Sequence, residues 1–282
     1  MRILVTGGQG QVGTDVSLLF REQGHQVFSF GSSQLDICNP HSIEDAFSAS
    51  TPLDFVMNCA AYTAVDHAED EPEKAFAINA TGVKNLAKCC KKWKVPLIHF
   101  STDYIFDGLN ETPYLETDSP NPQNVYGASK LQGEVLLRDT WNQHIILRVT
   151  WVFGRYGNNF IKTISQLAKT RTELKIVSDQ LGCPTGASHI AQIALQLLTH
   201  PHLAAHWGTY HYTDVPATNW YDFASAFVPK GSCQLHPIST QEYKTRATRP
   251  LYSLLNCAKI HEIFGIQQAH WQDELSLLQE IV

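Results

Sequence analysis

The stretch Ile3-Leu4-Val5-Thr6-Gly7-Gly8-Gln9-Gly10-Gln11-Val12-Gly13 decides the fold. It joins a short apolar strand to a predicted helix over Val12–Glu22 through a G-x-x-G-x-x-G turn. Gly7 would allow the tight bend, Gly10 would let the backbone approach a pyrophosphate, and Gly13 would let the helix pack on the sheet. The helix N-terminus would offer free N–H groups to the anion. A glycine-rich turn without a ligand is the alternative, and the strand–turn–helix context favours a dinucleotide.

Strands and helices alternate through the first half of the chain. Predicted strands cover residues 3–5, 26–30, 55–57, 96–100 and 144–149, and predicted helices cover 12–22, 42–49, 73–92 and 126–138. This alternation predicts an α/β fold, a doubly wound parallel sheet of Rossmann type with right-handed crossovers.

The second half of the chain is spaced more loosely. Helices are predicted at 159–169, 189–198 and 219–227, and strands at 174–178 and 209–213. We expect a dinucleotide-binding domain over residues 1–154, with later elements around 174–200 returning to it. Residues 155–282 would form mainly a smaller, C-terminal substrate-binding lobe.

Bulk properties argue against several classes of partner. The formal net charge of −6 leaves no basic excess to neutralise nucleic-acid or membrane phosphates. No run of about 18 apolar residues occurs, and the apolar run at the N-terminus is too short for a signal-peptide core. The seven scattered cysteines lack a C-x-x-C pair and are typical of reduced thiols. We therefore expect a cytoplasmic protein without nucleic-acid or membrane partners.

The segment Tyr126-Gly127-Ala128-Ser129-Lys130 has Y-x-x-x-K spacing at the start of a predicted helix. An i, i+4 spacing places the phenol and the ammonium on one helix face. Because a nearby cation stabilises a phenolate, we expect Lys130 to lower the pKa of Tyr126 from about 10 and to hydrogen-bond the nicotinamide ribose. Alone, the spacing is typical of an ordinary surface pair. Downstream of the glycine turn it predicts a catalytic pair.

Hydroxyl side chains follow the fourth predicted strand, in Ser101-Thr102-Asp103-Tyr104. They lie at the carboxyl edge, where doubly wound sheets bind ligands. Ser101 or Thr102 can hydrogen-bond the substrate oxygen that gains the proton, and for one of them a strand-end turn is the alternative. Asn79, in the preceding predicted helix, either faces solvent or links Lys130 to the backbone through water.

The adenosine end of the cofactor is expected near the second predicted strand. Phe30 is followed by Gly31-Ser32-Ser33, with neither the acid typical of NAD sites nor an arginine. The two serines either contact a 2′-phosphate or are ordinary loop residues, and we expect NADPH, with NADH as the alternative. The predicted cofactor site comprises Gly7, Gly10, Gln11, Val12, Gly13, Asp36, Ile37, Ala60, Ala61, Tyr62, Asn79, Tyr126 and Lys130.

Four segments together resemble the dTDP-4-dehydrorhamnose reductase family, in the nucleotide-sugar branch of the extended short-chain dehydrogenase/reductases. They are N-C-A-A-Y-T-A-V-D at 58–66, S-T-D-Y-I-F-D-G at 101–108, N-V-Y-G-A-S-K at 124–130 and D-Q-L-G-C-P-T at 179–185. Arg249-Pro250 extends the likeness towards the C-terminus. The resemblance implies NAD(P)H-dependent reduction of the C4 ketone of dTDP-4-dehydro-L-rhamnose, the last step of dTDP-L-rhamnose synthesis.

The resemblance also implies roles for individual residues. Tyr126 would protonate the developing alkoxide, Lys130 would tune Tyr126, and Thr102 would hydrogen-bond the same oxygen. Arg249 would face the diphosphate, because its guanidinium suits phosphate oxygens. The implied substrate contacts are Thr63, Val65, Thr102, Asp103, Tyr104, Tyr126, Trp151 and Arg249.

Some members of this family dimerise around a divalent ion held by acidic side chains. Asp15 matches one such acid, but Ser188 stands where those members carry another. We therefore predict no metal, and a homodimer of this chain would have no metal bridge.

Several alternatives stay open. Another nucleotide-sugar 4-ketoreductase, a dehydratase or an epimerase would share the fold and the Tyr126–Lys130 pair. Dehydratases of this kind follow the threonine with two acids, whereas Thr102 is followed by Asp103 and Tyr104. A non-catalytic regulatory subunit resembling the methionine adenosyltransferase β subunit is the other alternative. The presence of Thr102, Tyr126 and Lys130 together favours an enzyme.

Overall fold

The computed structural model describes residues 1–278 as strands alternating with helices. The strands are β1 (Arg2–Thr6), β2 (Gln26–Phe30), β3 (Phe55–Asn58), β4 (Leu97–Thr102), β5 (His144–Val149), β6 (Val152–Phe153), β7 (Glu173–Val177), β8 (Leu181–Gly182), β9 (Thr185–Gly186), β10 (Gly208–His211), β11 (Thr218–Asn219) and β12 (Gln234–Ile238). The helices are α1 (Gln11–Glu22), α2 (Pro40–Ser50), α3 (Val65–Ala68), α4 (Pro72–Phe76), α5 (Val83–Trp93), α6 (Val125–Thr140), α7 (Phe160–Ala168), α8 (Ala187–Thr199), α9 (Trp220–Phe227), α10 (Ala258–Phe264) and α11 (Trp271–Leu278).

Six strands form one parallel sheet in the order β10-β5-β4-β3-β1-β2. β4 and β5 are buried along their whole length, as expected for central strands covered by helices on both faces. The chain moves from β1 to β2 in one direction and through β3, β4 and β5 in the other. A crevice for a ligand therefore lies at the carboxyl ends of β1 and β3. The predicted doubly wound, Rossmann-type α/β fold is confirmed.

Two apolar layers sandwich this sheet, because successive side chains of a strand point to opposite faces. Ile3 and Val5 belong to the layer that includes α1, α8 and α10, whereas Leu4 belongs to the layer that includes α2, α5 and α6. None of the helices in residues 1–278 has both the length and the apolar character needed to cross a bilayer.

A second, smaller core lies outside the central sheet. β7 pairs in parallel with β12, and α7, α9 and α11 pack around this pair through residues such as Phe223 and Trp271. The strand predicted at 174–178 is thus present as β7 but does not return to the main sheet, because β10 occupies the free edge of β5. α8, in contrast, packs on α1. The division of the chain at residue 154 stays a prediction.

The helix predicted over residues 73–92 is interrupted. α4 and α5 are joined by a π-helical segment, Ala77–Gly82, whose wider turn holds more residues than an α-helical turn. Asn79 lies in this segment and is fully buried, so the interpretation that it faces solvent is wrong. The segment turns the Asn79 side chain inward, and Val83 and Leu86 of α5 still lie in the apolar core.

Candidate active site

The glycine turn brings the ends of β1 and β3 together. Gly7 has a φ of 63°, and a Cβ on it would lie 2.6 Å from the backbone N of Ala60. A Cβ on Gly13 would lie 2.2 Å from the Gly7 carbonyl O, so α1 can approach the turn only with glycine there. Gly10 is the N-cap residue of α1 and carries no side chain that could cap the first N–H groups. These groups can therefore bind an anion.

The other residues predicted near the cofactor differ in burial and in the hydrogen bonds that their side chains already make. The side chain of Gln11 bridges the Val152 carbonyl O at 3.0 Å and Asn159 at 2.7 Å, so Gln11 can face a ligand mainly through its backbone. Ile37 is buried in the core, whereas Asp36 is exposed and its carboxylate accepts from the Cys38 N–H at 2.9 Å. Val12 packs on the core beside the sheet, and Ser32 and Ser33 are exposed after β2.

Asn79 connects the cofactor side of the site to the catalytic helix. Its Oδ1 accepts from the Tyr62 N–H at 2.8 Å, and its Nδ2 donates to the Tyr62 carbonyl at 3.0 Å and to Ser129 Oγ at 2.9 Å. Ser129 in turn donates to the Tyr126 carbonyl at 2.7 Å. The direct contacts of the Asn79 side chain are thus with Tyr62 and Ser129, and a link to Lys130 through water stays a prediction. The roles of Ser129 and of the Tyr62 backbone were missed, because no motif spacing connects them to residue 79.

The structure brings Thr102, Asp103, Tyr104 and Tyr126 together where β4 ends and α6 begins. Thr102 Oγ1 donates to Asp103 Oδ1 at 3.0 Å and accepts from the Tyr104 N–H at 3.2 Å. The rings of Tyr104 and Tyr126 meet edge to face, with centroids 5.7 Å apart. These contacts hold the Thr102 hydroxyl beside the phenol of Tyr126.

The electrostatics of the pair differ from the sequence prediction. Burial raises the pKa of Tyr126 to about 12, the charge of Asp103 adds to the rise, and the Thr102 hydroxyl partly opposes it. The expected lowering of this pKa by Lys130 is not found, because desolvation of the phenolate is the largest effect and Lys130 is not among the groups that shift it. Lys130 is itself buried, and its Nζ donates to the Phe100 carbonyl O at 2.7 Å.

Burial also shifts the pKa values of Lys130 and of the neighbouring Asp103. It lowers the pKa of Lys130 to about 8, although Glu134 and Cys59 favour the ammonium. It raises the pKa of Asp103 to about 6, against hydrogen bonds from Ser253 and Thr102. The site therefore contains one lysine and one carboxyl group whose pKa values have both moved towards neutrality, which is typical of functional sites.

Arg249 is held by a carboxylate. Its Nη1 and Nη2 donate to Asp66 Oδ1 at 3.1 Å and Oδ2 at 2.6 Å, and this pairing lowers the pKa of Asp66. Val65 begins α3 directly before Asp66, and Thr63 is exposed just upstream. Sequence reasoning missed Asp66 as the partner of Arg249, since 183 residues separate them.

Trp151 has a φ of 42°, a backbone region that bulky residues rarely adopt and that costs about 1–3 kcal/mol. Its ring stacks on that of Trp220 with centroids 3.6 Å apart, and Trp220 Nε1 donates to Gln180 Oε1 at 3.1 Å. Trp220 and Gln180 line a cavity of about 670 Å³ that reaches Arg249. The sequence contained no signal for the contact of Trp151 with Trp220.

The acidic residues that the resemblance implies for a metal site do not form a complete set here. Asp15 on α1 and Glu274 on α11 face each other, and burial together with Glu274 raises the pKa of Asp15 to about 7. The Ser188 hydroxyl donates to the Glu274 carboxylate. Across residues 1–278, no group of three or more His, Cys, Asp or Glu side chains could hold a metal ion. These donors do not fit the family's metal, and the predicted absence of a metal stays a prediction.

Comparison with known proteins places this geometry in a family. The family described as the RmlD substrate binding domain matches residues 1–281. A dTDP-4-dehydrorhamnose reductase of Aggregatibacter actinomycetemcomitans is 39% identical over 285 residues, covering 97% of each chain. The crystal structure of a dTDP-4-dehydrorhamnose reductase from Clostridium acetobutylicum has a TM-score of 0.92 and 35% identity, covering 99% of this chain and 100% of that one. A Bacillus anthracis dTDP-4-dehydrorhamnose reductase in complex with NADP has a TM-score of 0.91 and 32% identity, covering 98% and 97%.

Proposed function

This chain belongs to the RmlD substrate binding domain family, and we propose that it reduces the C4 ketone of dTDP-4-dehydro-L-rhamnose to give dTDP-L-rhamnose, with NADPH as reductant. The resemblance recognised in the four sequence segments is confirmed. One observation carries the proposal: Thr102 and Tyr126 lie together at the carboxyl edge of β4, in a chain 39% identical to a named reductase over almost its whole length. The NADP complex of the Bacillus anthracis relative supports the cofactor.

The glycine turn and α1 would hold the pyrophosphate of this cofactor. Gly7 and Gly13 let β3 and α1 pack closely around the turn, and the first N–H groups of α1 provide donors. Asn79 fixes the Tyr62 backbone beside this turn and ties it to α6 through Ser129. Bound NADPH supplies a hydride. The chain itself has to place the ketone next to a proton donor.

Tyr126 is the proposed proton donor. Because burial raises the pKa of its phenol to about 12, Tyr126 is protonated at neutral pH and can give its proton to the C4 oxygen as negative charge develops there. Thr102 would hydrogen-bond the same oxygen, and its own orientation is set by Asp103 and the Tyr104 N–H. Lys130 would serve the proton balance of Tyr126, one helical turn away.

The nucleotide-sugar contacts extend from this centre. We assign the diphosphate to Arg249, whose guanidinium Asp66 holds in place. Thr63, Val65, Asp103, Tyr104 and Trp151 would contact the sugar or the nucleoside. The stacked and conformationally strained Trp151 supports this assignment, since backbone strain clusters at ligand sites.

The proposals for assembly and cellular location rest on one hydrogen bond and on the state of the cysteines. We expect any homodimer to form without a metal bridge, since Ser188 donates to Glu274 where a third acid would be needed. We expect a cytoplasmic location, which the seven free cysteines in the described part of the chain support.

The decisive experiment is product analysis. The purified chain is incubated with dTDP-4-dehydro-L-rhamnose and either NADPH or NADH, and the products are identified by mass spectrometry and proton NMR. We expect one dTDP-L-rhamnose for each NADPH oxidised. Turnover without added cofactor would instead indicate an epimerase. Inactivity, together with recovery of a stoichiometric synthetase partner in a pull-down, would indicate a regulatory subunit.

A further inference from the structure

A buried polar row crosses the sheet and ends at Lys130. Thr6 of β1, Asn58 of β3 and His99 of β4 are register partners on neighbouring strands. Thr6 Oγ1 donates to Asn58 Oδ1 at 2.6 Å, Asn58 Nδ2 lies 2.9 Å from His99 Nδ1, and His99 Nε2 lies 3.5 Å from Lys130 Nζ. Thr6, Asn58 and His99 are 0% exposed, and Lys130 is 2% exposed. Thr6, Asn58 and His99 are therefore sealed from solvent, and Lys130, at the end of the row, keeps a small exposed fraction.

The hydrogen bonds of this row determine which nitrogen of His99 carries the proton. Asn58 Oδ1 accepts from the Thr6 hydroxyl and also from the Ala60 N–H at 3.3 Å, which can only donate. The amide of Asn58 must then turn its NH₂ group towards His99, so His99 Nδ1 accepts. A neutral imidazole that accepts at Nδ1 carries its proton on Nε2.

His99 therefore presents an N–H group to Lys130. An ammonium has only donors, so it cannot pair with this group, whereas a neutral amine has a lone pair that can accept. The Phe100 carbonyl accepts from Nζ in either state. His99 itself stays neutral, because burial, Lys130 and His144 hold its pKa well below the usual range.

We propose that His99, oriented by Asn58 and Thr6, is a positioning residue that favours the neutral amine of Lys130 and so makes this lysine release a proton readily. This role deepens the reduction proposed above and rests on it for its use. When Tyr126 has given its proton to the substrate oxygen, the proton leaving Lys130 Nζ can restore the phenol. Lys130 is then left as an amine that accepts from His99 Nε2–H. His99 stays neutral throughout, and Lys130 regains its proton from solvent after product leaves.

Two other titratable groups face Lys130, and their effects on its protonation must be distinguished from the effect of His99. Glu134, one turn further along α6, and Cys59, which follows β3, both favour the ammonium form of Lys130. Burial favours the neutral amine. The Glu134 carboxylate is occupied by Arg148, and burial raises the pKa of Cys59, so this thiol keeps its proton at neutral pH. His99 is thus the group whose removal tests the proposal with the least change in charge.

The direct test is titration of Lys130 by NMR, which does not depend on activity. The chain is labelled with ¹³C,¹⁵N-lysine, and the Lys130 signal is assigned by its loss in Lys130→Met. We expect the titration midpoint of Lys130 to rise by about one pH unit, a tenfold change in proton affinity, in His99→Leu, because the neutral amine loses its donor. An unchanged or lower midpoint would overturn the proposal. His189→Leu, which removes a buried histidine on α8 that pairs with Asp214 and acts on neither His99 nor Lys130, should leave the midpoint unchanged.

Two further measurements keep the test decisive. Thr6→Val removes one of the two donors that orient the Asn58 amide and leaves the Ala60 N–H, so it should raise the Lys130 midpoint by less than the one pH unit expected for His99→Leu. This variant keeps the proposal testable if His99→Leu does not fold. Long-range ¹H–¹⁵N spectra of the thirteen histidines should show His99 protonated on Nε2, and an Nδ1 proton would refute the mechanism. If the substrate is not reduced while both NMR results hold, the proposed function fails and the role of His99 stands. If reduction occurs, the alkaline limb of kcat should move with the Lys130 midpoint.

Discussion

The carboxylate of Glu134 and the guanidinium of Arg148 form a two-pronged ion pair sealed beneath α6. Arg148 Nε donates to Oε1 at 2.9 Å and Nη2 to Oε2 at 2.7 Å, and the two side chains are 0% and 3% exposed. Glu134 lies one helical turn beyond Lys130, and Arg148 lies on β5. The pair therefore fixes the position of α6, which carries Tyr126 and Lys130, relative to the sheet.

Glu134→Gln should destabilise the fold by about 3–5 kcal/mol, because it leaves the Arg148 charge buried without a counter-charge. Urea unfolding followed by circular dichroism measures this loss. Arg138→Gln removes the more exposed partner of the same carboxylate and should cost about 1 kcal/mol or less. Equal losses for the two variants would show that the buried pair is not what holds α6.

Tyr126→Phe should lower kcat by about 10²–10⁴-fold, since it removes the proton donor and little else. The affinity for NADPH, measured by isothermal titration, should stay close to that of the wild-type chain. Tyr104→Phe is the comparison variant, because it keeps the edge-to-face contact with Tyr126 and removes the hydroxyl of a proposed substrate contact, so it should change KM more than kcat. Wild-type turnover in Tyr126→Phe would exclude Tyr126 as the donor.

Asn79→Leu should weaken NADPH binding and also lower stability by about 1–3 kcal/mol for each buried group left unpaired. The reason is that Asn79 satisfies both backbone groups of Tyr62 and connects them to Ser129. Fluorescence titration with NADPH and thermal unfolding measure the two effects. Asn85→Leu, whose amide makes only longer bonds at 3.3 and 3.4 Å, should change both less. Unaltered NADPH affinity in Asn79→Leu would contradict the role assigned to the Tyr62 backbone.

Asp103→Asn should be more stable than the wild-type chain at alkaline pH. Burial raises the pKa of Asp103 from 3.8 to about 6, so the folded chain binds this proton more tightly and loses stability as pH rises between these values. The neutral amide avoids that loss, and the difference should reach about 3 kcal/mol above pH 7 and vanish near pH 4. Urea unfolding at pH 4, 6 and 8 checks this, and a difference independent of pH would contradict the shifted pKa.

Dialysis against EDTA should leave activity and sedimentation behaviour unchanged. Asp15, whose pKa is raised to about 7, and Glu274, which accepts from Ser188, offer too few ionised donors for a divalent cation. Ser188→Glu completes a set of three acids and is the positive control, and it should gain thermal stability on addition of MgCl₂. Loss of wild-type activity that Mg²⁺ restores would show that a metal is required.

Most of the central fold could be predicted because its signals are local. Apolar strands, helical periodicity and the glycine turn each occupy a short stretch of sequence, and the strands β1 to β5 lie where these patterns predicted them. The exchange of β7 for β10 in the main sheet could not be predicted. Both are short strands, and the partner of each is set by packing between distant residues, since β10 pairs with β5 and β7 pairs with β12.

The candidate site divides in the same way. Gly7, Thr102, Tyr126 and Lys130 belong to motifs whose spacing carries the chemistry, so sequence alone could single them out. Contacts between distant residues were missed, such as Asp66 with Arg249 and Trp151 with Trp220, because packing creates them. The pKa of Tyr126 was predicted in the wrong direction because a spacing of four residues reveals the neighbouring charge but not the loss of hydration.

The π-helical segment Ala77–Gly82 makes the site sensitive to the length of the chain as well as to its composition. A helix of 3.6 residues per turn advances by about 100° for each residue. Losing the exposed Thr81 would close the wide turn and rotate Asn79 by about that angle relative to α5, away from Tyr62 and Ser129. A single-residue deletion on the solvent side of this helix would thus act like a substitution inside the active site. When relatives are aligned, a gap within these six positions would indicate loss of the Asn79 anchor, even where an asparagine is still present.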